Sequence, residues 1–154
     1  MSMQTKFLSA SFLAAAFALA GCGSTPMSSS SMAMPSSTVA LSASLSGAAE
    51  VPAKTTDGTG TLTGTLDKST GTLHYKVVYS GLSGPATMAH FHGPAMPGTN
   101  AGVVVPFPSA ASPIEGETKL SQAQMDDLLA GKWYANVHTA ANPGGEIRGQ
   151  VMVK

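Results

Sequence analysis

The sequence predicts an all-β domain, a Greek-key β-sandwich that carries one short helix. Three observations predict it. From Val39 onward apolar and polar residues alternate in short runs, the period of strands with one buried face. Gly, Pro, Asn and Asp bound those runs, as turns require. Only one segment carries both the start and the stop signals of a helix. No internal repeat is evident.

Each element follows from its residues. Val39, Leu41, Ala43 and Leu45 alternate in a first strand. Residues 59–66 and 72–80 form a hairpin joined by Asp67-Lys68-Ser69-Thr70-Gly71, whose glycine suits a left-handed conformation. In its second arm Leu73, Tyr75, Val77 and Tyr79 share one face. His74 and Lys76 share the other, which reads as solvated, so His74 is taken as a surface residue. Further strands are expected at 87–92, 102–107, 132–139 and 146–153. Glu115 and Glu117 share a strand face but flank Gly116 in what reads as a solvated turn. The helix starts at Ser121 as N-cap, has Gln124 as capping-box partner, presents Met125, Leu128 and Leu129, and stops before Gly131. Gly93-Pro94 and Pro97-Gly98 bracket a tight loop, and Asn142-Pro143-Gly144-Gly145 sets up the last strand.

Upstream of this domain the organisation changes. Lys6, an uncharged and mostly apolar run over 7–19 and then small residues make a secretory signal too short to span a bilayer. Its ending, Leu19-Ala20-Gly21-Cys22, resembles a bacterial lipoprotein lipobox. That resemblance implies cleavage before Cys22 and acylation of its thiol, with several chains for stable anchoring. The expected organisation is a signal peptide over 1–21, an acylated cysteine and flexible tether over 22–38, and one domain over 39–154. Gly23 stands where an inner-membrane retention signal would place Asp. The expected location is therefore the cell envelope, at the outer membrane, facing the periplasm or the cell surface. The tether is rich in serine, and its Met27, Met32 and Met34 read as spacer residues, with soft thioether ligation of Cu(I) as the alternative.

Composition limits the partners. Only 10% of the chain is charged. Without Lys6, seven Lys and Arg face eight Asp and Glu, and no basic run occurs. A nucleic-acid partner needs a positive footprint, so none is expected. Membrane contact is expected through the lipid on Cys22 and not through charge. With Cys22 the single cysteine, a disulfide is not available, and the fold must stand on its core.

Strand periodicity sorts the chemistry. Ala89 and Phe91 point one way, and Met88, His90 and His92 the other. Trp133, Ala135 and Val137 oppose Tyr134, Asn136 and His138. Ile147, Val151 and Val153 oppose Glu146, Arg148 and Gln150. If these strands are neighbours, His90, His92 and His138 converge, with Asn136, Glu146 and Arg148 as a polar network beside them. Two histidines at i and i+2 plus a third from another strand suit one copper or zinc ion with an open position. The competing reading has the histidines hydrogen-bonded to Glu146, Asn136 or backbone carbonyls, with no metal. Glu146 and Arg148 themselves read as an i, i+2 opposite-charge pair. No Ser-His-Asp set, Cys-His set, phosphate-cradling loop or paired carboxylates stands out, so the chain is not expected to be an enzyme.

Gly47-Ala48-Ala49-Glu50-Val51-Pro52, Tyr79-Ser80-Gly81-Leu82 and Ala89-His90-Phe91-His92-Gly93-Pro94-Ala95 are three segments of a larger pattern. It continues in 129–139 and in Pro143-Gly144-Gly145-Glu146-Ile147-Arg148-Gly149-Gln150. Together they resemble the CHRD domain, a module of chordin and of bacterial secreted proteins. The resemblance runs from about Val39 to the C-terminus and implies a β-sandwich of immunoglobulin-like or Cu/Zn superoxide dismutase-like type. Phe91 stands where the family usually has an aliphatic residue. A more distant likeness to Cu/Zn superoxide dismutase rests on the His-x-His pair and the downstream histidine. A bridging histidine, the zinc-loop ligands and the disulfide have no counterparts, so a single ion is the expectation. The expected function is a membrane-anchored extracytoplasmic binding module. The alternatives are an envelope interaction or structural lipoprotein without metal, using the loop near 93–100 toward a protein partner, and a copper-dependent redox enzyme.

Overall fold

The computed structural model describes residues 36–154. The signal segment, Cys22 and the tether up to residue 35 lie outside them. The described chain runs β1 (Thr38–Ser46), a 3-10 turn (Gly47–Ala49), β2 (Thr59–Asp67), β3 (Thr72–Ser80), β4 (Ala86–His92), β5 (Val103–Pro106) and β6 (Ile114–Lys119). It continues through α1 (Gln122–Leu129), β7 (Tyr134–Thr139), β8 (Ile147–Gln150) and β9 (Met152–Val153).

The strands form one antiparallel sheet in the order β5-β4-β7-β8-β1-β2-β3-β6, with β9 also on β1. The sheet curls over on itself into a nearly closed sandwich, because its two ends share one core. Phe91 on β4 and Tyr75 on β3 stand near opposite ends of that order, yet their rings meet edge to face with centroids 5.0 Å apart. Phe107 closes the group at 4.7 Å from Tyr75 and 4.8 Å from Phe91. Leu41, Leu45, Leu62, Leu66, Val77, Trp133 and Ile147 fill the space between. All but Trp133, which precedes β7, belong to the apolar set of their strand, so alternation places them inside. The all-β sandwich with one short helix is therefore the observed fold.

The punctuation also holds. Gly71 takes φ +72, and its amide closes the hairpin on the Asp67 carbonyl at 2.8 Å. Ser121 caps α1 reciprocally with Gln124, and Gly131 ends it at φ +69. The strand expected at 132–139 begins at Tyr134. The strand expected over 146–153 is interrupted at Val151, whose amide donates to the Trp133 carbonyl, and β9 then turns to β1.

One element differs in kind. Residues 114–119 form a strand, β6, and not a turn. Gly116 lies opposite Tyr75, and a Cβ there would collide with the tyrosine hydroxyl and ring. The glycine makes room for a core aromatic; it does not break the chain. Glu115 and Glu117 are solvated as expected, pairing with Lys76 at 2.7 Å and His74 at 3.2 Å. Exposed pairs of this kind contribute little.

Candidate metal centre

The sheet order brings β4, β7 and β8 side by side, so their polar faces merge. His90 lies opposite Asn136, and Asn136 opposite Arg148. His92 lies opposite Tyr134. This face is covered along β7, while Met88 at its edge stays exposed. Every residue of β7 is buried, because the loop after β4 and the turn after β7 fold over it. Asn100 ties that first loop down by donating to the Val51 carbonyl at 3.0 Å.

His90, His92 and His138 converge as their spacing suggested. One ring nitrogen from each lies within 4.8 Å of the others. His90 Nδ1 is 3.3 Å from His138 Nε2. Zinc–nitrogen bonds of about 2.0–2.1 Å in a tetrahedron set donors about 3.3–3.4 Å apart, a spacing that the His90–His138 pair matches.

Backbone carbonyls decide which nitrogens are free. His92 Nδ1 donates to the Ala101 carbonyl at 2.9 Å, and His138 Nδ1 to the Pro143 carbonyl at 2.9 Å. A carbonyl only accepts, so the proton sits on Nδ1 and leaves the Nε2 lone pair of each neutral ring toward the common centre. His92 Nε2 is buried and has no hydrogen-bond partner. Histidines that hold metals are oriented in this way, with the second ring nitrogen on a carbonyl or carboxylate. Burial lowers the pKa of His90 and of His92, and neighbouring histidine charge adds to it in both. Both effects favour the neutral rings that ligation needs.

Around the histidines, Tyr134 stacks on His92, and the guanidinium of buried Arg148 lies 3.4 Å from the centre of the tyrosine ring. Arg148 also donates to Asn100 Oδ1 at 2.9 Å and to the Thr99 carbonyl at 2.7 Å. Asn136 Oδ1 lies 2.9 Å from His138 Nε2. Glu50, which follows the 3-10 turn, is 6% exposed, and its Oε1 has no partner. Burial raises its pKa, against the opposing pull of the Val51 amide, Arg148 and others.

Glu146 departs from the expected role. It neither pairs with Arg148 nor reaches the histidines. Its Oε1 accepts from the Thr56 hydroxyl at 2.6 Å and the Ser83 amide at 2.7 Å. Its Oε2 accepts from the Ser83 hydroxyl and, at 2.6 Å, from Thr139. It staples three loops, because hydroxyl donors surround it before any cation does. Tyr134, Glu50 and the two carbonyls at 101 and 143 were not legible as parts of the site. Backbone carbonyls leave no residue signature, and Glu50 is 40 or more positions from His90, His92 and His138 in the chain.

A surface depression of about 620 Å³ lies elsewhere, over β2, β3 and β6. It is shallow, and none of the three histidines lines it.

A family model for the CHRD domain matches residues 41–151. No curated protein and no solved structure matches the chain.

Proposed function

The chain belongs to the CHRD domain family, and on that premise we propose that its domain is a binding module holding one copper or zinc ion through His90, His92 and His138. The observation that carries this reading is the pair of carbonyl bonds at Ala101 and Pro143, which turn the Nε2 lone pairs of His92 and His138 toward one point. Three histidines leave the ion at least one further coordination position, and the module binds without catalysing a reaction. The lipobox-like Leu19-Ala20-Gly21-Cys22 supports a lipid anchor on Cys22 and display in the cell envelope. Metal analysis of the purified protein, prepared without tags or chelators, tests the reading beside a His90→Ala/His138→Ala variant. Near-stoichiometric copper or zinc that the variant loses is the expected result. A protein that takes up neither added ion, and unfolds at the same point as the variant, refutes it.

A second reading is favoured by one contact. With Nδ1 protonated, His90 donates to His138 Nε2 across 3.3 Å, which closes the network without an ion. The domain is then an interaction or structural module of the envelope that meets a protein partner through the loop at 93–100. Unfolding that is indifferent to added copper, zinc or chelator is its signature.

A further inference from the structure

We propose that Asn136 is a fourth ligand, its Oδ1 joining His90 Nδ1, His92 Nε2 and His138 Nε2 in a donor set of three nitrogens and one oxygen for a divalent ion. The assignment rests on the metal reading above and adds to it the identity of the fourth donor.

The two ring nitrogens of His138 each lie 2.9 Å from a carbonyl oxygen, Pro143 on one side and Asn136 Oδ1 on the other. A neutral imidazole has one N–H. The Pro143 oxygen belongs to the backbone and cannot be exchanged for a donor, so Nδ1 carries the proton. Nε2 and Oδ1 then present lone pairs to the same space at hydrogen-bond distance. A cation seated between them replaces that repulsion with two bonds.

Two further observations point to the same place. His92 is 8% exposed, and its Nε2 is unpartnered in the same compartment. The amide of Asn136 has its oxygen on the histidine side and its nitrogen on the far side. Gly145, at φ +125, leaves a gap in which a Cβ would collide with Glu50 Oε1 and lie 2.8 Å from Asn136 Nδ2. The NH2 group thus lies on the Gly145 side, and the oxygen 2.9 Å from His138 Nε2. Asn136 sits on the middle strand of the three, 3% exposed, between His90 and Arg148 in register.

The donor chemistry selects the ion. A carboxamide oxygen is hard and neutral, and three imidazoles are borderline. The set suits Zn(II) or Cu(II) rather than Cu(I), which favours thioether and thiolate donors.

Cobalt(II) titration of the purified protein tests the assignment, since tetrahedral cobalt reports its coordination in its visible bands. Wild type is expected to give the intense bands of a four-coordinate site. Asn136→Leu is expected to bind Co(II) at least about tenfold more weakly, with a changed spectrum. Asn136→Asp keeps an oxygen in place and is expected to retain both binding and the four-coordinate bands. An Asn136→Leu protein with wild-type affinity and spectrum overturns the assignment while leaving the three-histidine site standing. If Asn136→Leu does not fold, a folded Asn136→Asp that has lost the ion overturns it equally. A wild type that binds no divalent ion removes the metal reading itself.

Discussion

His92 and Tyr134 lie face to face across β4 and β7, their rings 2° from parallel and their centroids 4.8 Å apart. Arg148 rests on the same tyrosine ring and grips Thr99 and Asn100, one step from the carbonyl that orients His92. Arg148 is thus a positioning residue that acts on His92 through both the ring and the loop. A lysine keeps the charge but loses the forked donation and the planar contact. Arg148→Lys is expected to lower stability by about 2 kcal/mol and ion affinity by roughly 10-fold or more. Urea denaturation and a competition titration with Zn(II) measure the two. Unchanged values in both would show that the loop is held by other contacts.

Glu146 gives the fold an acid dependence of definite sign. Burial would raise its pKa, but hydrogen bonds from Ser83, Thr139 and Thr56 outweigh that and hold it at about 2, below the ordinary 4.5. The folded state therefore favours the ionised form. That stabilisation is complete above pH 4.5 and is lost as pH falls from there toward about 2, up to about 3 kcal/mol in all. Glu146→Gln is expected to flatten stability against pH in this window and to be less stable than wild type at neutral pH. A variant with the wild-type slope would place the dependence in other carboxyls.

His90 and His92 set a second window at higher pH. Their folded pKa values lie below the ordinary 6.5, chiefly through burial. Protonation therefore favours the unfolded chain. Their contribution is complete above pH 6.5 and is lost as pH falls through the folded values. With a chelator present to exclude metal, the urea midpoint is expected to drop between pH 7.5 and 5.5. His90→Asn/His92→Asn is expected to drop less. Parallel curves for the two proteins would refute the assignment.

Gly116 and Tyr75 form a packing pair across β6 and β3. Gly116→Ala forces the Tyr75 ring to move and is expected to cost about 1–3 kcal/mol. Tyr75→Leu removes the obstacle, so the double variant is expected to be less destabilised than the sum of the two single changes. Thermal or urea unfolding of the four proteins measures the coupling. Strict additivity would mean that the alanine is accommodated by the backbone of β6.

Much of this was legible in the chain, and the misses have physical causes. The capping box of α1 is a local device, so Ser121, Gln124 and Gly131 announce it within eleven residues. Period-2 alternation put Ala89 and Phe91 in the core and His90 and His92 on the opposite face. Gly116 misled because the reason for it, the Tyr75 ring, is 41 residues away. Glu146 misled because an opposite charge two residues along suggested a partner, whereas Thr56 and Ser83 from distant loops supply its donors and Arg148 turns to Thr99 and Asn100.

The sequence by itself determined the all-β class, the face that each strand buries, the one helix, and that each of the three histidines stands on the polar face of its own strand. These depend on short-range periodicity and capping, which neighbouring residues settle among themselves. Only the tertiary structure decided that β4, β7 and β8 are adjacent, that loops bury their polar face, and that carbonyls at 101 and 143 aim two imidazoles inward. Strand order and loop closure depend on how the whole sheet buries its apolar side, and backbone groups carry no letter in the sequence.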